Sequence, residues 1–303
     1  MLVSLHDVLI PARHGHYAVA AFDCMEDVMI RTILDVAQQE QAPVILMALD
    51  HDLKGHGIAY IAGLVRAVAD AYPIPIVLHL DHATSKELVV EAIKHGFTSV
   101  MYDGSVLPFE DNLRKTREVV EMAHAHGVSV EAELGCVAGS DIYGSAYPGA
   151  GTSLLTDPNQ VVEFVERTQV DALAVSIGTA HGVYTAQPTL DIELLKAINA
   201  VSQVPLVLHG GSGTPVEQVH EAIRYGITKV NIYTELRIAM FEGLKASASS
   251  QKREDPLPDE LFTPIRHQLS LLVADKIHTL YLYPKLVELI LDEIRRHYWE
   301  TPR

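Results

Sequence analysis

Eight short runs rich in Val, Leu, Ile and Ala recur along the chain: YAVAAFD (17–23), PVILMA (43–48), IPIVLHL (74–80), TSVMYDG (98–104), VSVEAEL (128–134), ALAVSIG (172–178), PLVLHG (205–210) and TKVNIYT (228–234). None keeps the clean apolar/polar alternation of a strand with one wet face, which is how parallel strands buried on both faces read. The segments between them carry apolar residues at helical spacing. A strand-helix alternation repeated eight times predicts an α/β fold, a (β/α)8 (TIM) barrel. Helix ends are marked as well: KHG (94–96) and HAHG (124–127) place a basic residue and then glycine where a helix would stop, suiting the helix dipole and a left-handed cap.

Two stretches depart from this rhythm. Residues 135–156, GCVAGSDIYGSAYPGAGTSLLT, are longer than an ordinary strand-to-helix connection and rich in Gly, Ser and Ala, the pattern of a mobile lid. After the eighth run a helix is expected to about Ser250. Polar QKREDPLPDE follows, then helical patterns through LSLLVADKI and PKLVELILDEIRRHYW. No compositional shift marks a second domain, so residues 1–303 read as a single (β/α)8 barrel domain with extra C-terminal helices. Residues 251–303 form a helical appendage able to pack in an oligomer interface.

Thirty-nine acidic against 23 basic residues leave a formal charge of −16, which opposes encounters with nucleic acid and with an anionic membrane surface. No apolar run approaches the roughly 18 residues of a membrane span, and the N-terminus lacks the pattern of a signal peptide. The two cysteines, Cys24 and Cys136, supply no disulfide framework. A soluble, unprocessed cytoplasmic protein with no nucleic-acid or membrane partner is expected.

Three histidines stand just after three separate apolar runs: His82 in IVLHLDH, His181 in ALAVSIGTAHG and His209 in PLVLHGGSG. The strand C-termini of a barrel meet at one mouth, where active sites form, so these imidazoles are expected to converge. Three neutral imidazoles with a fourth position open are the donor set of catalytic zinc. Any one of the chain's 16 histidines is more often a capped or solvated side chain; three at equivalent strand ends favour a metal. Asp81, next to His82, is placed either to take a proton as a general base or to orient a ligand imidazole. His79 shares its strand face and reads as a buried structural histidine. GGSG (210–213) and NIYT (231–234) follow the seventh and eighth runs, where such barrels hold phosphate on backbone N–H groups and a helix N-terminus. Asp103 and Glu133 lie on the same rim, as ligands of a second metal, as supports of the first, or as a structural pair. HGH (14–16) precedes the first run, at the opposite end of the barrel, and reads as non-functional.

HLDH (79–82), DGS (103–105), EAELG (131–135), SIGTAHGVY (176–184), LHGGSG (208–213) and NIYTEL (231–236), in that order, resemble the class II, metal-dependent ketose-bisphosphate aldolases, most closely the tagatose- and fructose-bisphosphate branch. The resemblance runs from about residue 15 to 245. It implies that His82, His181 and His209 bind one catalytic Zn2+ and that Asp81 is the acid/base at the carbon–carbon bond. It implies further that Gly182, Gly210, Gly211, Ser212, Asn231 and Thr234 hold the dihydroxyacetone phosphate moiety of a sugar-phosphate substrate. A monovalent cation such as Na+ or K+ and a homodimeric or homotetrameric assembly are also implied. The implied reaction is reversible cleavage of a phosphorylated ketose, with metal rather than a lysine Schiff base stabilising the charge that develops.

The chain departs from that pattern at three places. The lid's only carboxylate is Asp141 where relatives carry a glutamate as second proton carrier, with Tyr143 as an alternative. Asp23 replaces the asparagine that usually ends the first strand. After the second run, where relatives offer Ser or Thr to phosphate, stand Leu49, Asp50, His51 and Asp52. Acids there would repel a phosphate unless they meet a polyhydroxyl group, so the alternative substrate is a non-bisphosphate ketose phosphate, longer or carboxylated. Two other classes compete with this reading. A barrel zinc hydrolase would need His-x-His in the first run, which YAVAAFD lacks; a weakened sugar-phosphate-binding paralogue would bind without turnover.

Overall fold

The computed structural model describes residues 1–139, 154–184 and 186–281. Among them, eight parallel strands close into a barrel in the order β1 (Val19–Asp23), β2 (Val44–Leu49), β3 (Ile76–Ala83), β4 (Ser99–Tyr102), β5 (Ser129–Leu134), β7 (Ala172–Val175), β9 (Leu206–Leu208) and β10 (Ile227–Ile232), with β10 pairing back onto β1. All eight expected runs are barrel strands. Two short strands at the mouth, β6 (Ala138–Gly139) and β8 (Ala180–His181), pair with each other outside the barrel. The covering helices are α2 (Asp27–Gln39), α3 (Gly57–Val68), α4 (Lys86–His95), α5 (Phe109–His124), α6 (Pro158–Thr168), α7 (Ile192–Val201), α8 (Val216–Arg224) and α9 (Thr234–Ser250). Helix α4 stops at the expected left-handed glycine, Gly96 with φ +88°.

The strands divide their side chains between two cores. Outward residues such as Phe22, Leu46, Leu78, Val100, Val130, Leu173 and Leu208 pack under the helices. Inward residues Val19, Ala21, Ile45, Met47, Val77, Ala172, Ala174 and Val207 fill the barrel. An N-terminal helix not expected from the strand-helix rhythm, α1 (Leu5–Gly15), caps this inner core with Leu5, Val8, Leu9 and Ala12. Those four recur at helical spacing, and Ser4 and Asp7 form a capping box at its start. HGH (14–16) therefore sits at the plugged end, with His14 and His16 exposed. Helix α10 (Pro258–Leu280) lies against α9 and α2 and adds Ile265, Leu269, Val273 and Ile277 to the outer core. The PKLVELILDEIRRHYW pattern lies outside the described residues. Among the described residues no helix is long and apolar enough to cross a membrane.

Candidate metal and active site

Because side chains alternate along a strand, the inward apolar residues set the parity of everything above them. Continuing it toward the C-terminal ends brings Asp23 on β1, Leu49 on β2, His79 and Asp81 on β3, Glu131 and Glu133 on β5, and Lys229 and Asn231 on β10 into the barrel. By that rule His82, one residue past Asp81, should face the helices. It does not, because β3 carries a bulge: Leu80 pairs with Val100, but the next pair is Ala83 with Tyr102, so β3 has one extra residue there. His82 takes φ +49°, a left-handed conformation rare for a residue with a side chain, and its imidazole reaches the mouth beside Asp81.

The three sequence-nominated histidines meet. One ring nitrogen from each of His82, His181 and His209 lies within 4.8 Å of the other two. Nitrogens around a tetrahedral zinc at Zn–N distances of about 2.0–2.1 Å stand roughly 3.3 Å apart. The partners of the other ring nitrogens decide which atoms are free. His82 Nδ1 lies 2.9 Å from Asp103 Oδ2, and His209 Nε2 lies 2.9 Å from Glu131 Oε1, so each imidazole donates its N–H to a carboxylate. His82 Nε2 and His209 Nδ1 lie 2.9 Å apart, within hydrogen-bonding distance. His181 Nε2 is buried without a hydrogen-bond partner. Three clustered imidazoles, two of them held by carboxylates, thus form a donor set that fits a divalent ion.

Around these imidazoles the field is strongly negative. Burial opposes protonation of His82, but Asp81, Asp103 and Glu133 outweigh it and raise this imidazole to about 10, a field that would equally favour a dication. His181, buried beside His82 and His209, falls to about 3. Glu133 is pushed up to about 8 by burial and by Asp103. It accepts the Val137 N–H at 3.0 Å and lies 3.6 Å from His209 Nδ1. His82, Asp103 and Glu133 also form a cluster with metal-binding spacing, as do His79, Asp81 and Glu131. Asp81 is fully buried; burial pushes its carboxyl up, but His82, Lys229, His209 and His79 hold it below the ordinary aspartate value. Asn231 Nδ2 lies 3.3 Å from both Asp81 oxygens.

Beneath this layer lies a pair that the sequence reading did not single out. Lys229 Nζ donates to Glu131 Oε2 at 2.8 Å, both residues wholly inaccessible to solvent, while Glu131 Oε1 accepts from His209. Burial pushes the Glu131 carboxyl up, yet Lys229, His209 and His79 hold it well below the glutamate range. The signal was present as charged residues at inward parity in apolar strands, EAE on β5 and TKVN on β10. His79 bonds Ser99 Oγ through Nδ1 at 2.8 Å and is lowered to about 3 by burial and by Lys229.

The nominated phosphate-loop residues separate into two groups. Gly182, Ser212 and Thr234 line one cavity of about 330 Å3 together with Tyr184 and Gly213 at the start of α9. Ser212 Oγ accepts the Tyr233 and Glu235 N–H groups at 3.2 and 3.4 Å. Asn231 faces Asp81 instead, and the Gly211 N–H donates to Asn231 O at 3.1 Å. Tyr184, quoted in the sequence motif without a role, ties the two ligand-bearing loops together: its hydroxyl accepts the Ala180 N–H at 2.9 Å and donates to Gly210 O at 2.8 Å. Gly210 has φ +66°, and a Cβ there would lie 2.5 Å from Ala180 O. Gly210→Ala is therefore expected to cost about 1–3 kcal/mol of stability and, by displacing the adjacent His209, to weaken zinc binding. Denaturant unfolding and chelator competition would check this, and unchanged values in both would refute it. Asp141 and Tyr143 lie outside the described residues.

A family model described as fructose-bisphosphate aldolase class-II matches residues 3–282. The fructose-bisphosphate aldolase of Helicobacter pylori is 36% identical over 304 residues, spanning 92% of this chain and 98% of that protein. That of Xanthobacter flavus is 38% identical over 299 residues, spanning 84% of each. The crystal structure of the YdjI aldolase from Escherichia coli K12 superimposes with a TM-score of 0.81 at 34% identity, covering 92% of this chain and 97% of that one. On a match that spans nearly the whole barrel, the chain belongs to the class II fructose-bisphosphate aldolase family and is a carbon–carbon lyase.

Proposed function

We propose that this aldolase reversibly cleaves a phosphorylated ketose to dihydroxyacetone phosphate and an aldehyde, with one Zn2+ held by His82, His181 and His209. The observation that carries this reading is the convergence of three imidazole nitrogens beside a buried carboxylate, with Asp81 Oδ2 lying 3.8 Å from His82 Nε2. When bound, the dication supplies the positive charge that offsets negative charge developing at the bond being broken.

The chain's own residues supply the rest. Asp81, kept ionised and held by Asn231, takes the proton of the C4 hydroxyl during cleavage and returns it during condensation. Asp103 and Glu131 fix the tautomers of His82 and His209. The cavity at the start of α9 suits the phosphate: backbone N–H groups of Gly182 and Ser212, the Ser212 and Thr234 hydroxyls and the positive helix end all favour an anion. Gly210, Gly211 and Asn231 shape the loops behind it. Asp141 is assigned the second proton transfer, with Tyr143 as the alternative carrier. Asp103 and Glu133 are assigned as supports of the zinc site, with a second metal at His82, Asp103 and Glu133 as the competing role. A Na+ or K+ ion near the phosphate loops, a homodimeric or homotetrameric assembly and a cytoplasmic location complete the reading.

Cleavage assayed by release of dihydroxyacetone phosphate tests it. Activity should vanish on chelation, return with Zn2+ and resist borohydride, since no imine forms. Turnover that survives complete metal removal would refute the zinc reading.

A further inference from the structure

The inference drawn from the acceptor half of the active site rests on the aldolase reading above and concerns the other end of the substrate. Asp23 ends β1 on the inward parity of Val19 and Ala21, so its carboxyl lies in the mouth. It is 3% exposed, and its Oδ1 is buried with no hydrogen-bond partner, an acceptor with nothing to accept from. Of its two neighbouring strands, β2 offers no donor in its place. The inward residues of β2 are Ile45, Met47 and Leu49, and Leu49 pairs directly with Asp81.

The turn after β2, Asp50–Leu53, adds another acid. The Asp52 side chain is nearly inaccessible, accepts the Leu49 N–H at 3.1 Å and lies 3.0 Å from His51 Nε2. Asp23, Asp52 and Glu26 thus place three acidic side chains around this end of the site, and like charge opposes a phosphate dianion or a carboxylate. A sugar hydroxyl carries no charge and donates the hydrogen that Asp23 Oδ1 lacks. A cavity of about 420 Å3 lined by Met25, Glu26, His51, Tyr233, Arg237 and Phe241 lies at the residues that follow β1 and has room for a longer polyol chain.

We propose that the aldehyde partner is a neutral, unphosphorylated polyhydroxyaldehyde, and that Asp23 determines this specificity by accepting one of its hydroxyls. The substrate in the cleavage direction is then a ketose monophosphate rather than a bisphosphate.

The test is condensation of dihydroxyacetone phosphate by the zinc-loaded enzyme with neutral acceptors (glyceraldehyde, erythrose, threose) and with anionic ones (glyceraldehyde 3-phosphate, glucuronate). The best neutral acceptor should exceed the best anionic one at least tenfold in kcat/KM. Asp23→Asn, which supplies an N–H donor of the same shape, should raise kcat/KM for glyceraldehyde 3-phosphate at least fivefold and lower it for the neutral acceptor, with one zinc per chain retained. A wild-type preference for glyceraldehyde 3-phosphate would overturn the inference while leaving the aldolase reading intact; that preference vanishing in Arg237→Ala would assign the phosphate to the outer cavity. An unchanged preference in Asp23→Asn would remove Asp23 from the role. No product with any acceptor would overturn the inference together with the aldolase reading.

Discussion

Asp81→Asn is expected to lower the cleavage rate by about 10²–10⁴-fold, the range a well-placed general base contributes, while the protein still folds and still carries one zinc per chain. Asparagine keeps the shape of the side chain and one acceptor oxygen for Asn231 Nδ2, which lies 3.3 Å from each carboxylate oxygen in the native site. What it lacks is a lone pair basic enough to take the C4 hydroxyl proton. The proposed metal ligands are separate groups: His82 keeps its Nδ1 bond to Asp103, and His209 keeps its bond to Glu131. The effect should therefore fall on kcat, with KM changing much less. Metal analysis, a thermal melt and steady-state kinetics on one preparation would separate these quantities. Turnover within tenfold of the wild type would exclude Asp81 as the base, and loss of zinc in the variant would recast it as a residue that supports the metal site.

Lys229→Met should produce the largest loss of stability of any single change considered. Glu131 is wholly buried, and its negative charge is met by Lys229 Nζ at 2.8 Å and by the His209 N–H at 2.9 Å. Removing the ammonium strands a carboxylate in a medium that cannot solvate it, a change that costs about 3–5 kcal/mol for a broken buried pair. At the few degrees per kcal/mol typical of larger domains, the midpoint of thermal unfolding should drop by roughly 10 °C. The double variant Lys229→Met/Glu131→Gln should recover most of that loss. No uncompensated charge remains in it, and the glutamine carbonyl still accepts the His209 N–H. A single variant as stable as the double one would show that the pair is not what holds this layer together.

The same layer shows where reading the chain stopped. The runs at 17–23, 43–48 and 98–104 declared themselves as barrel strands because a strand buried on both faces has no polar face to interrupt it. His181 and His209 declared themselves because each follows such a run closely. Helix α1 was equally written, in the Leu5, Val8, Leu9, Ala12 spacing and the Ser4 cap, but it lies outside the alternation that organised the reading. Glu131 and Lys229 were visible as inward charges on two strands. Their mutual contact was not, because 98 residues of chain separate them.

The succession of apolar runs and helical spacings determined the closed parallel sheet, its mouth and the identity of the three imidazoles, since these follow from burial and from the two-residue period of a strand. Tertiary structure alone decided how they are aimed. The bulge that turns His82 inward at φ +49°, the tautomers set by Asp103 and Glu131, and the Tyr184 hydroxyl joining two loops all depend on contacts between distant segments. Such contacts exist only once closure of the barrel brings those segments within hydrogen-bonding distance, and no local pattern of residues encodes that distance.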